Sequence, residues 1–174
     1  MEEATLRHIL HLQVQSIKDE VLRNIVETVL EKLPEAFWKR ESSKKYHPAD
    51  ERGVNGNLIH TLRVAKLVDR ILNTGEEDQY RRDLLKVAAI LHDCLRHGPS
   101  GTGQWSAKDH PQLVRQFIEQ ECDLQGETVN KLCDVIEHHM GQWGKPVHYT
   151  NIDDYDLLHL ADFLATQLDI EVKI

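Results

Sequence analysis

The sequence has 174 residues, of which 40% are hydrophobic, so it is long enough for one domain with a sizeable core and demands no second domain. Its net charge of -8 argues against a broad basic surface of the kind that binds duplex nucleic acid by neutralising phosphates. Three cysteines without CxxC spacing indicate neither a disulfide framework nor a thiolate zinc site.

Two helices are predicted in the first 33 residues, where apolar side chains recur at helical spacing. Ser16 and Asp19 lie between them and resemble a capping box, and Pro34 ends the second helix. The polar stretch 35–55, which contains Pro48 and is rich in charged residues, predicts a long loop. Long loops in compact domains often carry functional residues.

The rest of the sequence predicts five further helices and no strand. They cover about residues 57–73, 77–95, 110–121, 127–140 and 154–168, and the second of these is apolar nearly all round, which is typical of a central helix. Asp109 and Pro111 have the residue types of an N-cap and a first-turn proline. We therefore predict an all-α fold, a helical bundle in which helix ends converge on one pocket. The whole chain, 1–174, is predicted to be a single domain, with N-terminal helices and a loop at 1–45 and the core at 46–168.

No apolar run approaches the roughly 20 residues of a membrane-spanning helix, and the first residues lack the pattern of a signal peptide. We therefore expect a cytoplasmic protein that does not contact a membrane. The sequence leaves its oligomeric state open.

Histidine and aspartate residues stand in or beside the predicted helices and form a plausible metal-binding set. Imidazole and carboxylate groups together accept one or two divalent transition-metal ions, and Mn, Fe, Ni, Co and Zn all suit such a set. Adjacent residues on a helix point about 100° apart, so both members of a doublet reach one pocket only near a helix end. The predicted ligands are His60, His92, Asp93, His110, His138, His139 and Asp162.

This set suits the hydrolysis of phosphoesters, because divalent ions activate water, neutralise phosphoryl charge and assist the leaving group. The first predicted site combines two histidines with two aspartates: His60, His92, Asp93 and Asp162. The second oxygen of Asp93 would bridge to a second site. That site would be completed by His110, His138 and His139.

The order of these residues resembles that of the HD-domain metal-dependent phosphohydrolases, over about residues 46–168. The segments KYHP, GNLIHTLRVAKLV, AAILHD, EHHMGQWGKPV and LLHLADFLAT are similar to the HD domain of bacterial 3′-to-5′ exoribonucleases. The resemblance implies an all-α fold, a metal centre with one or two ions, and hydrolysis of phosphodiesters or phosphomonoesters in nucleotides or nucleic acids. It also implies that the seven residues above are the metal ligands.

One segment departs from the family pattern. Many relatives have HDIGK where this chain has HDCLR, so that Arg96 takes the place of the lysine. Arginine is a bidentate phosphate ligand, and we predict that Arg96 binds substrate and acts with Asp93 in catalysis. The missing glycine and the absent GYP signature weaken the interpretation as a cyclic-dinucleotide phosphodiesterase.

Two further residues are candidate substrate contacts. His47 is either an ordinary loop histidine or a residue near the entrance for phosphate. Trp143 either packs or stacks on a base, a contact worth about 1 to 3 kcal/mol.

The function predicted from the sequence is therefore metal-dependent hydrolysis of a phosphoester in a nucleotide or short single-stranded nucleic acid, and the acidic charge favours small substrates. The alternative is a non-catalytic regulatory module that binds a nucleotide in an HD pocket. A purely structural helical adaptor would require the histidine set to be a coincidence.

Overall fold

The computed structural model describes residues 1–43, 45–73, 78–104, 106–141, 153–168, 170 and 172–174. Over these ranges the chain is helical and contains no strand, which confirms the prediction of an all-α fold. The helices are α1 Glu3–Gln15, α2 Glu20–Lys32, α3 Glu35–Lys39, α4 Gly56–Leu72, α5 Gln79–Leu91, α6 His110–Gln116, α7 Glu127–His138 and α8 Asp153–Thr166. No helix in the described ranges is both long enough and apolar enough to cross a membrane.

The N-terminal pair, α1 and α2, packs its apolar faces onto the same core as α4 and α5. Asp19 is the N-cap of α2, since its side chain accepts a hydrogen bond from the backbone N–H of Leu22 at 2.9 Å. Ser16 instead ends α1. Asp83 of α5 fastens the turn between the two helices, because its Oδ2 accepts from the backbone N–H groups of Lys18 and Asp19, each at 2.8 Å.

The stretch 35–55 is not a loop throughout, so that prediction was wrong in part. Phe37 is only 1% exposed, and its burial against the core holds the short helix α3 in place. A 3₁₀ turn follows at Ala49–Glu51. Gly56, the first residue of α4, approaches this turn so closely that a Cβ atom there would lie 1.9 Å from the carbonyl oxygen of Glu51.

At the centre of the bundle, α4 packs against α5 and α8, and α5 packs against α7. Both central helices are buried over most of their surface, and for α5 the apolar sequence predicts this. Helix α5 ends at Leu91 rather than near 95, and His92 is its C-cap. The doublet of His92 and Asp93 therefore lies where the backbone leaves the helix and turns.

Helices α7 and α8 pack on the central pair, and α6 packs on α7. Asp109 precedes α6, as predicted, but its side chain makes no capping hydrogen bond. Helix α6 continues through a π-helical turn, Phe117–Glu121, and then meets α7. Helix α8 packs on α4. The end of α5, the start of α6 and the end of α7 thus meet beside α4 and α8.

Candidate metal centre

Six of the seven predicted metal ligands lie together where these helices meet. Five of them are buried, with exposed fractions of 0 to 5%, and Asp162 is half-buried. They come from α4, from the end of α5, from the start of α6, from the residue after α7 and from α8: His60, His92, Asp93, His110, His139 and Asp162.

Three of the imidazoles are held in the same way. In each, Nδ1 donates to the backbone carbonyl three residues earlier: His92 to Ala89 at 2.8 Å, His110 to Ala107 at 2.7 Å and His139 to Ile136 at 2.7 Å. A donating Nδ1 carries the proton, which leaves the Nε2 lone pair of the neutral ring free to bind a cation. The local backbone therefore sets the tautomer that a metal ligand needs.

The first group of ligand atoms consists of His60 Nε2, His92 Nε2 and Asp162 Oδ1. Asp162 Oδ1 lies 2.9 Å from His60 Nε2 and 3.8 Å from His92 Nε2. Ligand atoms about 2.1 Å from a common ion lie roughly 3 to 4 Å apart, so this spacing fits a metal site. Among the described residues, neither Nε2 atom has a hydrogen bond of good geometry, although both are buried. A buried polar atom without a partner is costly, and a bound cation would satisfy both.

Asp93 connects this group to the remaining two imidazoles. Its Oδ2 lies 3.9 Å from His92 Nε2 and 4.0 Å from His60 Nε2. Its Oδ1 lies 2.8 Å from His110 Nε2 and 3.8 Å from His139 Nε2. Each carboxylate oxygen thus faces a different pair of imidazoles, and Asp93 would be able to hold one ion through each oxygen.

The Nε2 atoms of His110 and His139 lie 3.3 Å apart. Because both rings donate through Nδ1, two neutral rings would direct lone pairs at each other across this distance. A proton on one ring or a cation between them removes the repulsion.

Burial and neighbouring charge shift the pKa values of these groups in opposite directions. Burial, together with His92 and His110 nearby, lowers the pKa of His139 to about 3, so this ring is neutral at neutral pH. Burial alone would lower the pKa of His60, but the carboxylates of Asp162 and Glu51 raise it to about 10. Burial disfavours the carboxylate of Asp93, yet Arg96 and the adjacent histidines hold its pKa well below the usual range. The cluster therefore keeps its carboxylates ionised, as cation binding requires.

Glu51 also belongs to this cluster, although it is not among the residues predicted from the sequence. Its side chain is fully buried, and Oε2 lies 2.7 Å from His47 Nδ1 and 3.2 Å from His60 Nδ1. Burial opposes its ionisation, but the contacts with His47 and His60 lower the pKa of Glu51 to about 2. The spacing of four residues between His47 and Glu51 is the one signal in the sequence that could have indicated the pair.

His138 and His47 lie outside the group of converging ligand atoms. The ring of His138 packs edge-on against Tyr155, with 4.8 Å between centroids, because one residue of helix turns it away from His139. His47 is 4% exposed and packs against the ring of His60, so it lies behind the candidate metal ligands rather than at an open entrance. Trp143 lies outside the described residues.

Arg96 lies against the bridging carboxylate. Its Nη1 donates to Asp93 Oδ2 at 2.7 Å and to Ser42 Oγ at 2.9 Å, and its Nε donates to Ser106 Oγ at 2.8 Å. In the described part of the chain Nη2 makes no hydrogen bond or ion pair.

Comparisons with known proteins agree with this geometry. The family model for the HD domain matches residues 57–174. The chain is 25% identical to the 3′-5′ exoribonuclease YhaM of Listeria innocua serovar 6a, over 91% of this chain and 52% of the relative. The proteins of the same name from Listeria monocytogenes serotype 4b and Listeria welshimeri serovar 6b are 25% and 24% identical over the same shares. The chain thus spans about half the length of the curated relatives it matches. No solved structure matches it.

Proposed function

Because the chain belongs to the HD domain family, we propose that it is a metal-dependent phosphohydrolase that acts on a nucleotide or a short single-stranded nucleic acid. The family was predicted from the order of histidines and aspartates in the sequence, and the match over residues 57–174 confirms it. The hydrolytic activity and its substrate are the proposal.

One observation carries this proposal: three buried imidazoles with donating Nδ1 atoms present their Nε2 atoms to the carboxylate of Asp93, at distances of 2.8 to 3.9 Å. In a core held by hydrogen bonds alone every buried Nε2 atom would be paired, yet those of His60 and His92 make no hydrogen bond of good geometry with any described residue. The ligands of the first ion would be His60, His92, Asp93 and Asp162. A second ion would take Asp93, His110 and His139, and we assign no metal contact to His138.

A divalent ion in this centre supplies Lewis acidity, which lowers the pKa of a water molecule and polarises a phosphoryl oxygen. The protein supports that chemistry in two ways. Asp93 and Asp162 remain ionised and balance the cation, and the backbone carbonyls behind the imidazoles keep the ligand atoms fixed. Arg96, through Nη2, would bind a phosphate oxygen beside Asp93.

The substrate class is inferred from the relatives and from the charge. The three relatives are named as 3′-5′ exoribonucleases. Their names support a substrate whose terminal nucleotide is joined by a phosphodiester bond. The net charge of -8 favours a mononucleotide or a short strand over a long nucleic acid held by many phosphate contacts. The cytoplasmic location stays a prediction.

The first test is direct. We expect the purified chain, reloaded with manganese, iron, nickel, cobalt or zinc after chelation, to hydrolyse bis-para-nitrophenyl phosphate or a short RNA, and the chelated chain to be inactive. Activity that survives complete removal of metal would contradict the proposal. If ions bind stoichiometrically but no phosphoester is turned over, the chain is a nucleotide-binding module instead.

A salt titration distinguishes the two candidate substrates. Affinity for an oligonucleotide falls steeply as the salt concentration rises, and affinity for a mononucleotide falls much less.

Replacing Arg96 with lysine should lower kcat/KM by about 10- to 100-fold. Hydrogen bonds to a charged group contribute about 1.5 to 3 kcal/mol, and lysine cannot reproduce the planar donor geometry of arginine. Steady-state kinetics measure the effect, and metal analysis should show an unchanged metal content. The matched control is Arg115→Lys, because Arg115 pairs with Glu137 at 3.0 Å on the surface shared by α6 and α7 and should not affect kcat/KM. Full activity in the Arg96 variant would exclude Arg96 from substrate binding.

A further inference from the structure

Glu51 lies outside the matched HD region, yet it contacts the metal centre. It ends the 3₁₀ turn Ala49–Glu51, and its carboxylate is fully buried. Oε2 faces the Nδ1 atoms of His47 and His60 at 2.7 and 3.2 Å. Oε1 forms an ion pair with Arg63 of α4. Both oxygens therefore have cationic or donor partners, and the charge of the buried carboxylate is balanced.

The position of this carboxylate is fixed by the backbone around it. The carbonyl of Glu51 accepts from the backbone N–H of Ser42 at 2.8 Å. The absence of a side chain at Gly56 lets the start of α4 lie against the same carbonyl. The turn and α4 are thus joined tightly, and Glu51 has little freedom to move away from His60.

His60 differs from the other histidines of the centre in the group that faces its Nδ1 atom. His92, His110 and His139 stand at helix ends and donate through Nδ1 to a carbonyl three residues earlier. His60 lies within α4, where the carbonyls of the preceding turn are used by helical hydrogen bonds. Glu51 supplies the acceptor that the backbone supplies for the others. The distance of 3.2 Å is long and its angle is poor for a hydrogen bond, but coordination at Nε2 makes the ring a stronger donor.

A separate ion between His47, Glu51 and His60 is the competing interpretation, because their ligand atoms lie within 4.8 Å of one another. Two features oppose it. The guanidinium group of Arg63 already holds the carboxylate, so a second cation would be repelled. An ion there would also require His60 to bind metal through both ring nitrogens.

We infer that Glu51 is a positioning residue, which accepts a hydrogen bond from Nδ1–H of His60 and so keeps His60 Nε2 directed at the metal ion. The inference rests on the proposed function, since it needs an ion at that Nε2. It extends the centre to a carboxylate–histidine–metal arrangement that includes a residue outside the matched region.

Glu51→Gln is the test variant, because an amide cannot accept from both Arg63 and the two imidazoles. We expect the affinity of this variant for Co²⁺, measured by titration of the chelated 174-residue chain, to fall by about 10- to 100-fold. Asp50→Asn is the matched control. Asp50 lies in the same turn, carries the same charge and pairs with the same Arg63, but it is exposed and does not contact His60. The affinity of the Asp50→Asn protein for Co²⁺ should equal that of the wild type.

A second readout separates positioning from a general loss of structure. In the NMR spectrum of the Co²⁺-loaded protein, each ligating imidazole contributes one paramagnetically shifted, exchangeable ring N–H signal. In Glu51→Gln the signal of His60 should shift or exchange faster, while those of His92, His110 and His139 remain. If the variant does not fold, the tautomer is read from ¹H–¹⁵N spectra of the Zn²⁺-loaded wild type, where we expect a protonated Nδ1 on His60.

The outcomes distinguish this inference from the proposed function. If the wild type binds no divalent ion, both are wrong. If it binds Co²⁺ and Glu51→Gln binds equally well with an unchanged His60 signal, only the role of Glu51 is wrong. Two other results would also overturn the positioning role of Glu51: loss of one whole ion per chain in the variant, or zinc bound to Nδ1 of His60. Either would favour a separate ion site between His47, Glu51 and His60.

Discussion

Replacing Asp93 with asparagine is expected to reduce kcat/KM on bis-para-nitrophenyl phosphate by about 1,000-fold or more. Its carboxylate faces both pairs of imidazoles and pairs with Arg96. An amide would therefore weaken the binding of every metal ion in the centre and leave Arg96 without its counter-charge. Metal ions contribute several kcal/mol to stabilising charge in the transition state, and each 1.4 kcal/mol is a factor of ten in rate. Kinetics together with metal analysis measure the loss.

The control for this variant is Asp156→Asn, which removes the same charge from an exposed position on α8. It should bind metal and turn over substrate like the wild type. Circular dichroism of the Asp93 variant should show a folded helical protein. An Asp93→Asn protein with near wild-type turnover would exclude the metal centre as the site of hydrolysis.

Replacing Asp83 with alanine is expected to lower the free energy of unfolding by about 3 kcal/mol. The side chain is 2% exposed, and it accepts from the backbone N–H groups of Lys18 and Asp19 and from the amide of Gln79 at 2.9 Å. Alanine leaves two backbone donors without their acceptor at the turn between α1 and α2, and it releases that turn from α5. Urea unfolding in the presence of a chelator measures the change, because bound metal would add to stability.

Asp83→Asn is the matched comparison, since an amide oxygen in the place of Oδ2 still accepts from both backbone N–H groups and only the bond from Gln79 is lost. It should lose clearly less stability than the alanine variant. Equal losses in both variants would show that the charge, and not the hydrogen bonding, carries the effect. No loss in either would mean that the contact between this turn and α5 contributes nothing to folding.

Most of the helical architecture was predictable from local signals. Apolar spacing identified α1, α2, α4, α5, α7 and α8 to within a few residues at their described ends, because burial of one face requires that spacing. Helix α3 was missed because a single buried aromatic residue, Phe37, stabilises a five-residue helix in a polar stretch. A segment that short carries no periodic signal.

The membership of the candidate site was predictable only in part. His60, His92, Asp93, His110, His139 and Asp162 were selected for residue type, order and the resemblance to a family, and the fold brings them together. His138 was selected with His139 because sequence cannot say where a helix ends to within one residue, and one residue changes the direction of a side chain by about 100°. Glu51 was overlooked because its contact with His60 depends on how the 3₁₀ turn lies against α4.

The amino-acid sequence by itself determined the all-α class, the family and the residue types of the candidate ligand set, because helix periodicity and residue type are local properties of the chain. Only the tertiary structure decided which nitrogen of each imidazole faces the centre, that each oxygen of Asp93 faces a different pair of histidines, and that His47 lies behind His60. Those features depend on distances between segments that are far apart in sequence, and such distances follow from the packing of whole helices.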